Sequence, residues 1–180
     1  DLPRGEVDVT QVRQVVMNLI ANAAESITGP SGLIKLSTDV VELDREALSG
    51  TYSFGDLPEG TYLALEVADT GCGMSPGTMS RIFDPFFTTK FTGRGLGLAA
   101  VYGTMRNHGG GVTVSSTAGR GTTFSLLLPV HVDDDREPQT PAPVEADKPL
   151  RIDGDKHVLV VDDGSRDDTF EILCDSMKSA

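Results

Sequence analysis

No apolar run in this sequence approaches the roughly 20 residues that a membrane-spanning helix requires, and no signal peptide is visible at its start. Membrane contact is therefore not expected, and a cytoplasmic setting is. Cysteine is scarce: Cys72 and Cys174 stand far apart, match no metal-ligand spacing, and read as reduced thiols of a cytosolic protein. Basic residues are also few, with 15 Lys and Arg against 27 Asp and Glu and a formal net charge of -12. Binding to a nucleic-acid backbone needs clustered Lys and Arg, so that class is excluded. An anionic ligand would have to be held by backbone N–H groups, a metal, or a few placed bases.

What is present is an ordinary globular composition, 38% hydrophobic and 23% charged. The 180 residues suffice for one well-buried domain plus a fragment. The start at Asp1, not at a methionine, reads as the edge of an excised piece. The pattern divides near residue 130. From His131 to Lys156 the chain holds Pro138, Pro141, Pro143 and Pro149, many acids and few apolar side chains. Such a stretch cannot bury enough surface to offset its ordering entropy, so 131–156 is expected to be a disordered acidic linker. A short apolar strand, HVLVVDD, follows at His157.

Within 1–130, Val12, Val15, Val16, Leu19, Ile20, Ala23 and Ile27 recur at helical spacing. Thr10 is the expected N-cap, with Gly29-Pro30 ending the helix. Leu33–Leu43 and Thr61–Ala68 read as strands joined by a long polar loop, Leu96–His108 as a second helix, and Gly111–Ser116 with Thr122–Leu128 as a hairpin. This order predicts a two-layer α/β sandwich, a mixed but mostly antiparallel sheet with helices on one face.

Four clusters carry candidate chemistry. Asn18 and Asn22 are four apart and share a helix face that Val15 and Ser26 extend. They are either a pair of structural hydrogen bonds or amides reaching a magnesium ion completed by phosphate and water. Asp69-Thr70-Gly71-Cys72-Gly73-Met74 follows a strand. It is either a plain turn, or a carboxylate accepting from an exocyclic amine beside glycines that admit a flat ring. Arg81 to Lys90, RIFDPFFTTK, is either a satellite hydrophobic cluster or a mobile cover, anchored by Phe83, Phe86 and Phe87, that brings Lys90 to a phosphate. Gly93-Arg94-Gly95-Leu96-Gly97-Leu98 is either a flexible connection or a helix N-terminus offering N–H groups to an anion.

Together and in this order, the clusters resemble the catalytic ATP-binding domain of sensor histidine kinases. The N box is QVVMNLIANAAESI, the first glycine box DTGCGM, the F box RIFDPFFTTK and the second glycine box GRGLGL, and HGGGVTVSSTAGRGTTFSLLLP resembles the closing hairpin. The resemblance implies ATP and Mg2+ as cofactors, with Asn22 on the metal and Asn18 a second polar group of the same box. It implies that Asp69 reads the adenine amine, that Gly71 and Gly73 line the base pocket, and that Thr122 reaches adenine. Lys90, Gly95, Leu96 and Gly97 would surround the phosphates.

Gyrase and the ATP-dependent heat-shock chaperones, of similar fold, carry a water-activating glutamate four residues before the metal-binding asparagine. Here that position is Asn18, and a neutral amide is no general base. The expected partner is thus a histidine-bearing dimerisation domain, because none of His108, His131 and His157 sits on an amphipathic dimerisation helix with an adjoining acid, as the phosphoacceptor of the resembled family does. The fragment alone is then not expected to autophosphorylate. An ATP hydrolase and a nucleotide sensor of the same fold are the rival activities. HVLVVDD resembles the first strand of a receiver domain, with Asp162 and Asp163 as its magnesium-binding acids. That would make 157–180 a truncated receiver and the parent a hybrid kinase. VVDDGSRDDT also resembles the nucleotide-sugar motif of inverting glycosyltransferases.

Overall fold

The computed structural model describes residues 8–29, 31–52, 57–90 and 93–130, together with the backbone of 157–162. The linker expected at 131–156, and the receiver-like residues from 163 onward, lie outside the described residues.

The opening helix, α1, runs Val9–Ser26. Its N-cap is Asp8, not Thr10: the Asp8 carboxylate accepts from the N–H groups of Thr10 and Gln11. Those bonds, led by the one from Gln11, hold the Asp8 carboxyl below its ordinary range, so the cap is charged at neutral pH. The apolar stripe buries Val15, Val16, Leu19, Ile20, Ala23 and Ala24. Each large aliphatic side chain taken from water in this way contributes about 1.5–3 kcal/mol.

Strand β1 (Ser31–Leu43) pairs antiparallel with β2 (Gly60–Asp69), β2 with β4 (Gly121–Pro129), and β4 with β3 (Gly111–Thr117). Strand β5 (His157–Asp162) adds to the outer edge of β1 in parallel, giving the order β3-β4-β2-β1-β5. The connection from β1 to β2 is not a bare loop. Asp44 caps a single turn, α2 (Arg45–Leu48), and Tyr52 bridges antiparallel to Val112 at the opposite edge of the sheet. A second short turn, α3 (Pro76–Met79), precedes the later helix α4 (Gly97–Asn107).

Alternation along the strands sends Ile34, Leu36, Val67, Phe124, Leu126 and Leu128 to the face packed by α1 and α4, where Val101 and Met105 join the core. The two-layer sandwich is thus as expected. Tyr62, Ala64 and Leu127 point the other way into a smaller cluster with Leu43, Leu48 and Leu57.

The β3–β4 turn separates two kinds of glycine. Gly119 has φ +78 and open space around it; Gly121 has φ +101, and an added Cβ there would overlap the Asp69 carbonyl oxygen. Gly119→Ala is expected to cost about 1–2 kcal/mol, from left-handed backbone alone. Gly121→Ala should cost clearly more, because it also forces β2 and β4 apart. Denaturant midpoints of the two variants check this, and equal losses would contradict it.

Candidate functional site

The helices and the ends of β2 and β4 bring the expected residues into two groups. At one end, Asp69 closes β2 opposite Thr122 of β4. Its Oδ1 accepts from the Gly71 N–H at 2.7 Å and from the Ser26 hydroxyl at 2.9 Å. Gly71 must lack a side chain, since a Cβ would overlap the Ser26 hydroxyl. Gly73 adopts φ +61 against the carbonyl of Thr117. Thr122 is buried, with its Oγ1 2.9 Å from the Ser116 hydroxyl. Ser116 accepts from the Met74 N–H at 2.9 Å and donates to the Gly121 carbonyl at 3.0 Å. With its one proton so used, Ser116 accepts from Thr122, whose oxygen keeps lone pairs for a further donor. The result is a half-buried carboxylate and a buried hydroxyl side by side, floored by glycine backbone.

The second group lies one helical turn earlier on α1. The Lys90 ammonium donates to Asn22 Oδ1 at 3.2 Å and also pairs with Glu25. Asn18, a further turn back, accepts from the Gln14 side-chain amide at 3.2 Å. Gly97 opens α4, and a Cβ there would come within 3.7 Å of the Asn22 amide nitrogen. The cap position, Leu96, supplies no side-chain hydrogen bond, so the first-turn N–H groups of α4 are left as donors near Asn22 and Lys90. Gly95 has φ +67 and packs on the backbone of Phe86 and Phe87, with the Phe86 N–H donating to the Gly95 carbonyl at 2.9 Å. Among the described residues no group of three or more His, Cys, Asp or Glu can hold a metal ion.

The aromatic segment is anchored differently from its composition. Ile82 is buried, and Phe83 packs between Tyr52 and Tyr102 in tilted contacts, with ring centroids 4.8 Å and 5.5 Å away. The Arg81 guanidinium lies 4.4 Å over the Phe87 ring. Phe86 is no anchor: it is 75% exposed and holds φ +68, a conformation that costs a non-glycine residue about 1–3 kcal/mol.

Three neighbours of the expected residues are not singled out by the sequence. Glu25 and Ser26 lie within the asparagine box and Ser116 within the closing hairpin, but nothing local marks the contacts they make. Their partners lie elsewhere in the chain: Ser26 meets Asp69 across 43 residues and Glu25 meets Lys90 across 65.

Residues 7–132 match the family described as histidine kinase-, DNA gyrase B-, and HSP90-like ATPase. Sensor kinase CckA of Brucella abortus (strain 2308) is 34% identical over 168 residues, covering 91% of this chain and 17% of its own length. The chain thus spans about a sixth of that curated relative. Among solved structures, the catalytic domain of histidine kinase ThkA is 28% identical with a TM-score of 0.51 over 69% of each chain. Full-length ShkA in complex with AMPPNP is 28% identical with a TM-score of 0.53, covering 81% of this chain and 25% of that one. No helix among the described residues is long and apolar enough to cross a membrane. A matched family span, kinase relatives by sequence and kinase catalytic domains by fold all coincide with the two residue groups above, so the chain belongs to the histidine kinase-, DNA gyrase B- and HSP90-like ATPase family and carries the ATP-binding catalytic domain of a histidine kinase.

Proposed function

We propose that this domain holds ATP with its γ-phosphate exposed to a histidine on a separate dimerisation domain of the same kinase. Asp69, Gly71, Gly73 and Thr122 take the adenine. Lys90 and the N–H groups from Gly95 through Gly97 take the phosphates. Asn22 fits a magnesium ion, because its amide oxygen already faces a cation, the Lys90 ammonium, and can exchange it. The ion would neutralise phosphate charge when bound. In the transfer, an imidazole nitrogen of the partner forms a bond to the γ-phosphorus while the β–γ bridging P–O bond breaks and ADP leaves. The protein's share of such a step is positioning and electrostatics.

The observation that favours transfer over hydrolysis is the residue one turn before Asn22. Asn18 occupies the position of a water-activating glutamate; it is a neutral amide whose oxygen is engaged by Gln14, and it is no general base. Mixing this chain with a histidine-bearing dimerisation domain and γ-labelled ATP should place acid-labile label on the partner's histidine, with little free phosphate from the chain alone. Rapid phosphate release without the partner would identify a hydrolase, and nucleotide binding without transfer a sensor.

The domain order supports a hybrid layout: catalytic domain over 1–130, acidic linker over 131–156, and from 157 the beginning of a receiver-like segment. A downstream receiver domain would then be the second partner, and a cytoplasmic location follows from this reading.

A further inference from the structure

The last residue of α1 ties its metal-facing side to the base-facing carboxylate. Ser26 lies one turn beyond Asn22 and is half-buried. Its hydroxyl stands 2.9 Å from Asp69 Oδ1 and 2.8 Å from the Ala23 carbonyl. A hydroxyl has one proton, and a carboxylate is the stronger acceptor for it because bonds to ionised groups are roughly twice as strong as neutral ones. The Gly71 N–H addresses the same Oδ1 at 2.7 Å, and the Ser26 carbonyl accepts from the Cys72 N–H at 3.0 Å. Two donors on one carboxylate oxygen fix a torsion that is otherwise broad, and they leave Oδ2 for an incoming ligand. The absence of a side chain at Gly71 has the same cause, since a Cβ would fill the space of the Ser26 hydroxyl.

We propose that Ser26 is a positioning residue for base recognition. Its hydroxyl pins Oδ1 of Asp69 so that Oδ2 meets the exocyclic amine of adenine, and it fixes that contact relative to Asn22 on the same helix. The proposal rests on the reading that Asp69 takes the adenine. It assigns part of the discrimination between purines bearing a 6-amino group and purines without one to a residue that does not itself touch the base. A plain helix-terminal role, in which Ser26 only bonds the Ala23 carbonyl, would affect stability and leave that discrimination alone.

Calorimetric titration of the chain with ATP and with purine riboside triphosphate, which lacks the 6-amino group, separates the two roles. Wild type should prefer ATP. Ser26→Ala should weaken ATP by about three- to tenfold, the scale of one net hydrogen bond, and leave the deamino nucleotide unchanged. That unchanged affinity also certifies the fold. In an Asp69→Asn background, where no carboxylate is left to aim at the amine, Ser26→Ala should lower the ratio no further. An unchanged ATP preference in Ser26→Ala, or equal weakening of both nucleotides, would overturn the proposal while leaving Asp69 as the base reader. Equal binding of both nucleotides by wild type would overturn the base-pocket reading and this proposal with it.

Discussion

Asp69→Asn is expected to weaken ATP by about 1–3 kcal/mol, the scale for losing a charged partner in a part-buried hydrogen bond, with the thermal midpoint close to wild type. The asymmetry of the site gives the reason. The Ser26 hydroxyl and the Gly71 N–H both donate to Oδ1, so an asparagine keeps its oxygen there. Its NH2 then occupies the Oδ2 position and faces the adenine amine, donor against donor. The fold loses little because both internal bonds survive. Thr122, opposite Asp69 in register and buried, still accepts as before and sets a floor to residual affinity. Isothermal titration with ATP and GTP checks the assignment: wild type should favour ATP, and the variant should lose most of that preference. Equal wild-type affinities for the two nucleotides would sink it.

The elements that pack as long amphipathic repeats were legible in the sequence. The helix through Asn22, the four antiparallel strands and the hairpin turn at 118–121 all fall within a few residues of their expected bounds, because each buries one face against the same core and so prints its period. The parts that escaped are those with no period. The turn α2 is too short to show one. Asp8 and Thr10 are both good cap residues two positions apart, and only the bonds from Thr10 and Gln11 to the Asp8 carboxylate decide between them. The bridge from Tyr52 to Val112 joins segments 60 residues apart in sequence that share no local signal.

For the site the division is similar. Glycines at 71, 73, 95 and 121 announce close backbone approach, and the asparagine pair announces a shared face. The sequence leaves unstated what each glycine makes room for. Gly71 makes room for Ser26, and Gly121 for the Asp69 carbonyl. Phenylalanine content overstated the anchoring of the F box, because apolar composition does not say which ring points inward. Phe83 finds two tyrosines, whereas Phe86 is turned out by its positive φ.

Asn22→Ala is expected to abolish the magnesium dependence of nucleotide binding, so that affinities with magnesium and with EDTA coincide. The Asn22 oxygen is the shared object of two cations: the Lys90 ammonium, 3.2 Å away, and the metal that the phosphates would bring. The two cations repel each other at that oxygen, so loading of a metal nucleotide is expected to draw Lys90 off Asn22. That exchange is cheap. The side chains of Lys90 and Glu25 are 37% and 60% exposed, and ion pairs so open to solvent contribute about 0–1 kcal/mol. The released ammonium finds a phosphate instead, and the segment carrying it follows. Its root is held by Phe83 and by the bond from the Phe86 N–H to the Gly95 carbonyl, whereas Thr88 and Thr89 are exposed. Segments with so few buried contacts open at low free-energy cost. Hydrogen exchange should therefore show stepwise protection of Thr88 to Lys90 and Gly93 to Gly97, slight with ADP and strong with a magnesium-loaded ATP analogue. In Asn22→Ala the second step should be lost and the first retained, since adenine contacts do not pass through Asn22. Wild-type affinity indifferent to EDTA would remove the metal from Asn22. Full protection of these amides before any nucleotide is added would show that Lys90 sits on a fixed wall and that no exchange takes place.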